Sequence, residues 1–259
     1  MKVGIIGLGE IGSSVMHAIR KAGLEDELFG VDISGDVLKA RKKEGFDVGD
    51  EFKTACDVYI VSVWTTDQVI SVIKNLDLTN NPLVIIESTI IPGTVKKLMD
   101  DMPYLNLAVC PHRLFIDDPT KHVFNLDRVI GACDKAVLKK AKGFYCRYMP
   151  AKLLHEVSIQ TAELCKPLEN SIRYVEIALA EEIRMLCMEH GYDFEEVRDA
   201  VNTKWNINLK EAKEGIGRHC LPKDIKIIND VFKFNYFFNL SQKIDDIYKG
   251  VLKECKKKR

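Results

Sequence analysis

At 259 residues, with 46% hydrophobic and 29% charged side chains, the chain has the balance of an ordinary globular protein, long enough for one large or two modest domains. Its 38 basic residues match its 38 acidic ones, so no overall field draws it to nucleic acid or to an anionic membrane, and small molecules are the expected partners. Eight cysteines without a CxxC pair or zinc-type spacing, no apolar run of the ~18 residues a membrane span needs, and a glycine-broken N-terminus argue against zinc, membrane insertion and secretion; reduced thiols in the cytoplasm, and no metal, are the expectation.

In chain order, KVGIIG at 2–7 predicts a short strand, residues 13–22 a helix, and LFGVD at 28–32 a second strand. Between the first strand and the helix stands G-L-G-E-I-G. Gly7, Gly9 and Gly12 would permit the tight turn, the close approach of a pyrophosphate and close helix packing, with Glu10 and Ile11 counted in the same cradle. The helix N-terminus offers free N–H groups to the phosphates. Asp32 ends the next strand, 20 residues after Gly12, where it can accept from ribose hydroxyls, and Ile33 and Ser34 follow instead of a basic residue. A 2′-phosphate would meet a negative charge there, so the pattern predicts NAD over NADP. A purely structural glycine turn, or a cradle for another adenosyl ligand, is the competing reading.

Apolar runs at VYIVSV (58–63), LVIIES (83–88) and NLAVC (106–110) alternate with helix-like stretches, the pattern of a parallel sheet covered on both faces, and DRVIGAC (127–133) adds a last strand. A doubly wound Rossmann-type domain over 1–150 results. In ESTIIPGT (87–94), Ser88 and Thr89 fall at the C-terminal end of a strand, the edge where such sheets bind ligands, Ser88 on the cofactor side; taken alone the segment reads equally well as a Ser/Thr turn.

From about 152 the periodicity turns helical for nearly forty residues, ending on Gly191 as a C-cap, so 151–259 is expected to be an all-helical second domain. Pro167 inside this pattern predicts a kink or a break. Glu163, Lys166 and Asn170, spaced by three and four, share one helical face, where a lysine and an amide could donate to a developing oxyanion; an isolated lysine on a helix is ordinarily just solvated. In GIGRHCLPKD (215–224), Cys220 beside His219 is a candidate nucleophile with Asp224 four residues on, though most cysteines are inert apolar residues. One or two more helices fit the remainder, and the basic KECKKKR end is assigned no role.

Together GLGEIG, ESTIIPGT, DRVIGA, AELCKPLENSIRYVEIALAEEI and GIGRHCLPKD resemble the UDP-glucose/GDP-mannose dehydrogenases, in family order and at family-like separations over essentially the whole chain. The last two are the specific segments, since related two-domain hydroxyacid dehydrogenases share the lysine and asparagine but not the cysteine motif. The resemblance implies oxidation of a sugar or nucleotide-sugar alcohol to a carboxylate in two NAD-dependent hydride transfers. It implies Cys220 as nucleophile, Lys166 and Asn170 as oxyanion donors, Thr89 and Asp224 as groups that position water and move protons, and a homodimer built on the long helix at 152–190.

Two departures qualify it. The family has a third, nucleotide-holding domain, whereas about thirty-five residues follow Asp224, so a short form lacking that domain is expected. In CPHRLF (110–115) the chain has His112 where the family has a glutamate, and histidine can also act as a general base. Besides the four-electron dehydrogenase, a two-electron hydroxy-compound dehydrogenase and a non-catalytic NAD-binding protein stay open.

Overall fold

The computed structural model describes residues 1–52, 55–113, 123–217 and 219–257. Leu114 and Phe115 of CPHRLF, Arg218 of GIGRHC and the last two tail residues therefore lie outside the described residues. The chain divides into two compact units, Met1–Lys166 and Pro167–Arg259.

The first unit is built on β1 (Lys2–Ile6), β2 (Glu27–Val31), β3 (Asp47–Gly49), β4 (Val58–Val61), β5 (Leu83–Ile86), β6 (Asn106–Val109), β7 (Arg128–Ala132) and β8 (Leu154–Glu156). The strand order is β3-β2-β1-β4-β5-β6-β7-β8. Every pairing is parallel except β6 with β7. The order reverses between β1 and β4, the topological switch point of a Rossmann-type sheet, which places the crevice at the carboxyl ends of those strands. Helices α1 (Glu10–Lys21), α2 (Gly35–Lys43), α3 (Thr66–Lys74), α4 (Thr94–Asp101) and α5 (Lys135–Tyr145) make the crossovers.

The strands read as unbroken apolar runs because both faces of the sheet carry a core. Val58, Ile60, Leu83 and Ile85 pack into one cluster, while Tyr59, Val61, Val84 and Ile86 pack into the other, alternating residue by residue. Single-face strands would have alternated with polar residues.

Two expectations need correction here. DRVIGAC is not the last strand, and the helical pattern does not begin at 152: residues 151–153 form a 3-10 turn and Leu154–Glu156 form β8, paired parallel with Arg128–Ile130. Burial of Leu154 in the sheet core, which no local periodicity encodes, overrides helical spacing. The sheet unit thus runs past 150, taking in β8 and the first turns of α6 (Ile159–His190).

Helix α6 runs unbroken through Pro167, so of the kink or break expected there the break is absent. The missing N–H removes one rung, and burial of Ala162, Glu163, Asn170 and Ser171 on either side holds the flanking turns. Its C-terminus follows the expectation: Gly191 has φ +73°, and the Tyr192 amide donates to the Cys187 carbonyl at 2.9 Å, closing the helix in a Schellman motif.

The second unit continues α6 and adds α7 (Phe194–Asn202), α8 (Cys220–Val231) and α9 (Tyr236–Lys257). Ala180, Cys187, Phe194, Leu209, Ala212 and Tyr248 form one of its cores, and Tyr174, Ala178, Ile216 and Ile225 another. Among the described residues no helix is long and apolar enough to cross a membrane.

Candidate functional site

The turn from β1 to α1 has the geometry its glycines imply. Gly7 adopts φ +85°, and a Cβ there would lie 2.4 Å from the Ser62 carbonyl oxygen; a Cβ on Gly12 would lie 1.8 Å from that of Gly7. Both positions exclude a side chain by contact with backbone. Gly9 differs, for nothing stands within 4 Å of its would-be Cβ. Its bareness serves open space, as a turn that must admit a ligand backbone-first requires. Gly9 also caps α1 without any side-chain hydrogen bond, so no capping side chain takes up the N–H groups of its first turn. Glu10 is exposed in the first turn, and Ile11 is partly buried against the sheet core.

Asp32, just past β2, reaches back to this turn. One carboxylate oxygen accepts from the Leu8 amide at 2.6 Å and the other from the Ser34 amide at 2.8 Å. The carboxylate therefore fixes the glycine turn as well as presenting a negative charge beside it. These residues fit a dinucleotide with an unphosphorylated ribose: a bare turn, an uncapped helix start and a fixed acid at the next strand end.

At the carboxyl edge of the same unit, Ser88 is buried, and its hydroxyl donates to the carbonyl of Val63 at 2.8 Å. It ties two strand ends together. Thr89, next along, is half-buried. The rest of this loop is anchored from several sides: the Ile91 amide donates to the Thr66 hydroxyl at 3.0 Å, and the amides of Gly93 and Val95 donate to Glu163 at 2.9 and 2.8 Å. Glu163 thus caps α4 from α6. It is 3% exposed, so it is no member of a solvated stripe, and Lys166, one turn on, is half-buried.

Sequence reasoning missed the ionic cluster beneath this edge. Arg128 and the Tyr145 hydroxyl both donate to Glu87 at 2.7 Å, and Arg128 also donates to the Cys110 carbonyl. Arg128 and Glu87 are 1% and 2% exposed. The Glu87 carbonyl accepts from the amide of His112, itself buried, so the cluster sets the strand ends that carry Ser88, Thr89 and His112. The signal was present as a charged residue inside each of two apolar strand patterns, LVIIES and DRVIGA.

In the second unit Asn170 donates to Asp224 at 2.6 Å, both side chains being buried, and the other Asp224 oxygen lies 3.5 Å from the Lys223 ammonium. The amide thereby positions the acid. Cys220 is the first residue of α8 and is exposed, one turn before Asp224 on the same helix. None of the eight cysteines is joined in a disulfide. Burial pushes Cys56 and Cys110 up to about 11, which keeps them protonated and unreactive near neutrality. Among the described residues, no group of three or more His, Cys, Asp or Glu side chains is placed to hold a metal ion.

Residues 2–109 match the NAD binding domain of 6-phosphogluconate dehydrogenase, and residues 160–247 match the central domain of the UDP-glucose/GDP-mannose dehydrogenase family. The chain is similar to the UDP-N-acetyl-D-mannosamine dehydrogenases of Methanocaldococcus jannaschii, at 29% identity over 95% of this chain and 65% of the relative, and of Salmonella typhimurium, at 26% over 86% and 63%. The chain therefore spans just under two thirds of the length of these relatives. Its fold follows that of the UDP-D-ManNAc dehydrogenase of Pyrococcus horikoshii, with a TM-score of 0.83 at 22% identity over 100% of this chain and 72% of that one. The 3-hydroxyisobutyrate dehydrogenase of Salmonella typhimurium also shares it, with a TM-score of 0.69 at 17% identity over 98% and 95%.

Lys166, Asn170, Cys220 and Asp224 lie within the match to the central domain of the UDP-glucose/GDP-mannose dehydrogenase family. Gly7, Gly9, Glu10, Ile11, Gly12, Asp32, Ser88 and Thr89 lie in the NAD-binding match, and His112 lies just beyond it.

Proposed function

We propose that the protein is an NAD-dependent dehydrogenase that oxidises the alcohol of a sugar or nucleotide sugar to a carboxylate through a covalent adduct on Cys220. The observation that carries this reading is the α8 start: an exposed cysteine followed one turn later by a buried acid that Asn170 holds at 2.6 Å. A pure binding protein has no use for that arrangement.

NAD, when bound, supplies a hydride acceptor. The chain's own part is the carbon chemistry. Removal of a hydride and a proton turns the alcohol into the aldehyde; the Cys220 thiolate adds to the aldehyde carbon and gives a thiohemiacetal, from which loss of a second hydride leaves a thioester; water then attacks the acyl carbon, the C–S bond breaks, and carboxylate and free thiol result. Lys166 and Asn170 donate to the successive oxyanions, Asp224 and Thr89 orient water and accept its proton, and His112 serves as a further general base. The relatives named for UDP-N-acetyl-D-mannosamine favour a nucleotide sugar as substrate. Free thiols throughout fit a cytoplasmic location.

Ile172, Leu179 and Leu186 are each about half exposed on α6 at heptad spacing, which supports a homodimer formed through this helix.

The deciding experiment measures NADH released per substrate with a panel of UDP- and GDP-sugars and simpler hydroxy compounds, in wild type and Cys220→Ser. Two NADH per substrate, lost in the variant, is the expected result. One NADH, untouched by the substitution, would instead mean a two-electron dehydrogenase, and NAD-dependent stabilisation without turnover a binding protein.

A further inference from the structure

The segment that leads into Cys220 is gripped at a single residue, Ile216, by α9. Asp245 accepts from the Ile216 amide at 2.8 Å, and Lys249, one turn later, donates to the Ile216 carbonyl at 2.9 Å. Lys249 also donates to Asp245 at 2.7 Å, and the Tyr174 hydroxyl, from α6, donates to the same carboxylate oxygen at 2.6 Å. Asp245, Ile216 and Tyr174 are 2–3% exposed, so water does not compete for these bonds.

The chain just before Ile216 is held as well. Tyr248 donates to the Lys213 carbonyl at 2.6 Å, and Arg184 donates to the carbonyls of Ala212 and to the Tyr248 hydroxyl. Gly215 has φ +94°, and a Cβ there would lie 2.5 Å from the Lys249 side chain, so the backbone turns directly against the clamp. Two side chains of α9 hold both the N–H and the C=O of one loop residue, and Tyr174 of α6 fixes the carboxylate that accepts the N–H, four residues before an exposed cysteine.

We infer that Asp245 and Lys249 are positioning residues that fix the backbone at Gly215–Gly217 and hence the placement of Cys220 for attack. This rests on Cys220 being the nucleophile. Neither residue touches the reacting atoms; each acts through the backbone of Ile216.

The test uses the full chain with Lys249→Met, which keeps the aliphatic stem, Lys249→Arg, which keeps the donor, and Asp245→Asn. Steady-state NADH formation, hydrogen exchange over 212–219 and iodoacetamide labelling resolved by peptide are measured for each. Lys249→Met and Asp245→Asn are expected to lower kcat at least about tenfold with the KM for NAD unchanged, because a small misplacement of a nucleophile costs rate and not cofactor affinity. Cys220 labelling should change while that of Cys146, exposed in the other unit, stays constant, and Lys249→Arg should restore most of kcat. Should one variant fail to fold, the other carries the same comparison.

Faster exchange at Ile216 with wild-type kcat and wild-type Cys220 labelling would overturn the inference while leaving Cys220 as nucleophile intact. If Cys220→Ser itself still yields two NADH per substrate, the functional reading falls and this inference with it.

Discussion

At the scale of single residues, the three glycines of the cofactor turn separate by what surrounds them. Gly12→Ala would drive a methyl into the Gly7 carbonyl, so a lowered melting temperature and lost NAD binding are expected together. Gly9→Ala meets nothing within 4 Å, so it should melt as wild type does while NAD affinity falls about tenfold or more, as titration calorimetry would show. Equal losses of stability in the two variants would refute the assignment of Gly9 to ligand approach. Glu181 gives a second residue-scale test. Burial, with the Asp245 carboxylate adding to it, pushes this carboxyl up to about 8 from its ordinary 4.5. Between those values the folded chain holds a proton that the unfolded chain has released, so stability falls as pH rises across that window. Glu181→Gln should therefore stabilise the protein more at about pH 8.5 than at about pH 5, by thermal melts in matched buffers. A constant difference across pH would contradict the raised value.

At the scale of elements, the sheet edge is held by groups that do no chemistry in the proposed reaction. Glu163 ties the start of α4 to α6 with hydrogen bonds to the Gly93 and Val95 amides, and Glu163→Ala should cost roughly 1–3 kcal/mol by denaturant unfolding, since it removes charged caps from buried donors. Arg128→Met should cost more, about 3–5 kcal/mol, because it strands the Glu87 carboxylate beneath the edge without its counter-charge. A loss under about 1 kcal/mol in Arg128→Met would show that Glu87 escapes burial by taking up a proton or water. Elements whose pattern was local and long were legible in the sequence: the apolar strands, the α1 turn and the Gly191 terminus of α6. The elements that were not legible, β3 and β8, are three-residue strands, too short to show an apolar run of their own.

At the scale of the whole molecule, the exposed heptad of α6 bears on assembly. Leu179→Glu places a charge at a position 52% exposed, so the fold should survive it, and under the proposed assembly light scattering should find wild type as a dimer and this variant as a monomer. A dimer that persists in this variant would move the interface elsewhere, for instance to the exposed Phe234 just before α9 and Tyr236 and Phe237 at its start.

Much of the candidate site was readable before any coordinates. Gly7, Gly9, Gly12 and Asp32 act within a short stretch where glycine tolerance and charge are local properties, so the cofactor turn could be read from spacing alone. Lys166, Asn170, Cys220 and Asp224 were found as motif residues, but what each touches was not written in the motif. Only the tertiary structure decided that Glu163 is a helix cap, that Asn170 holds Asp224, that Ser88 ties strands, and that Arg128 neutralises Glu87. Each of those pairings joins residues more than twenty positions apart, and burial, which makes such a bond strong and its absence costly, exists only once the chain has closed around it.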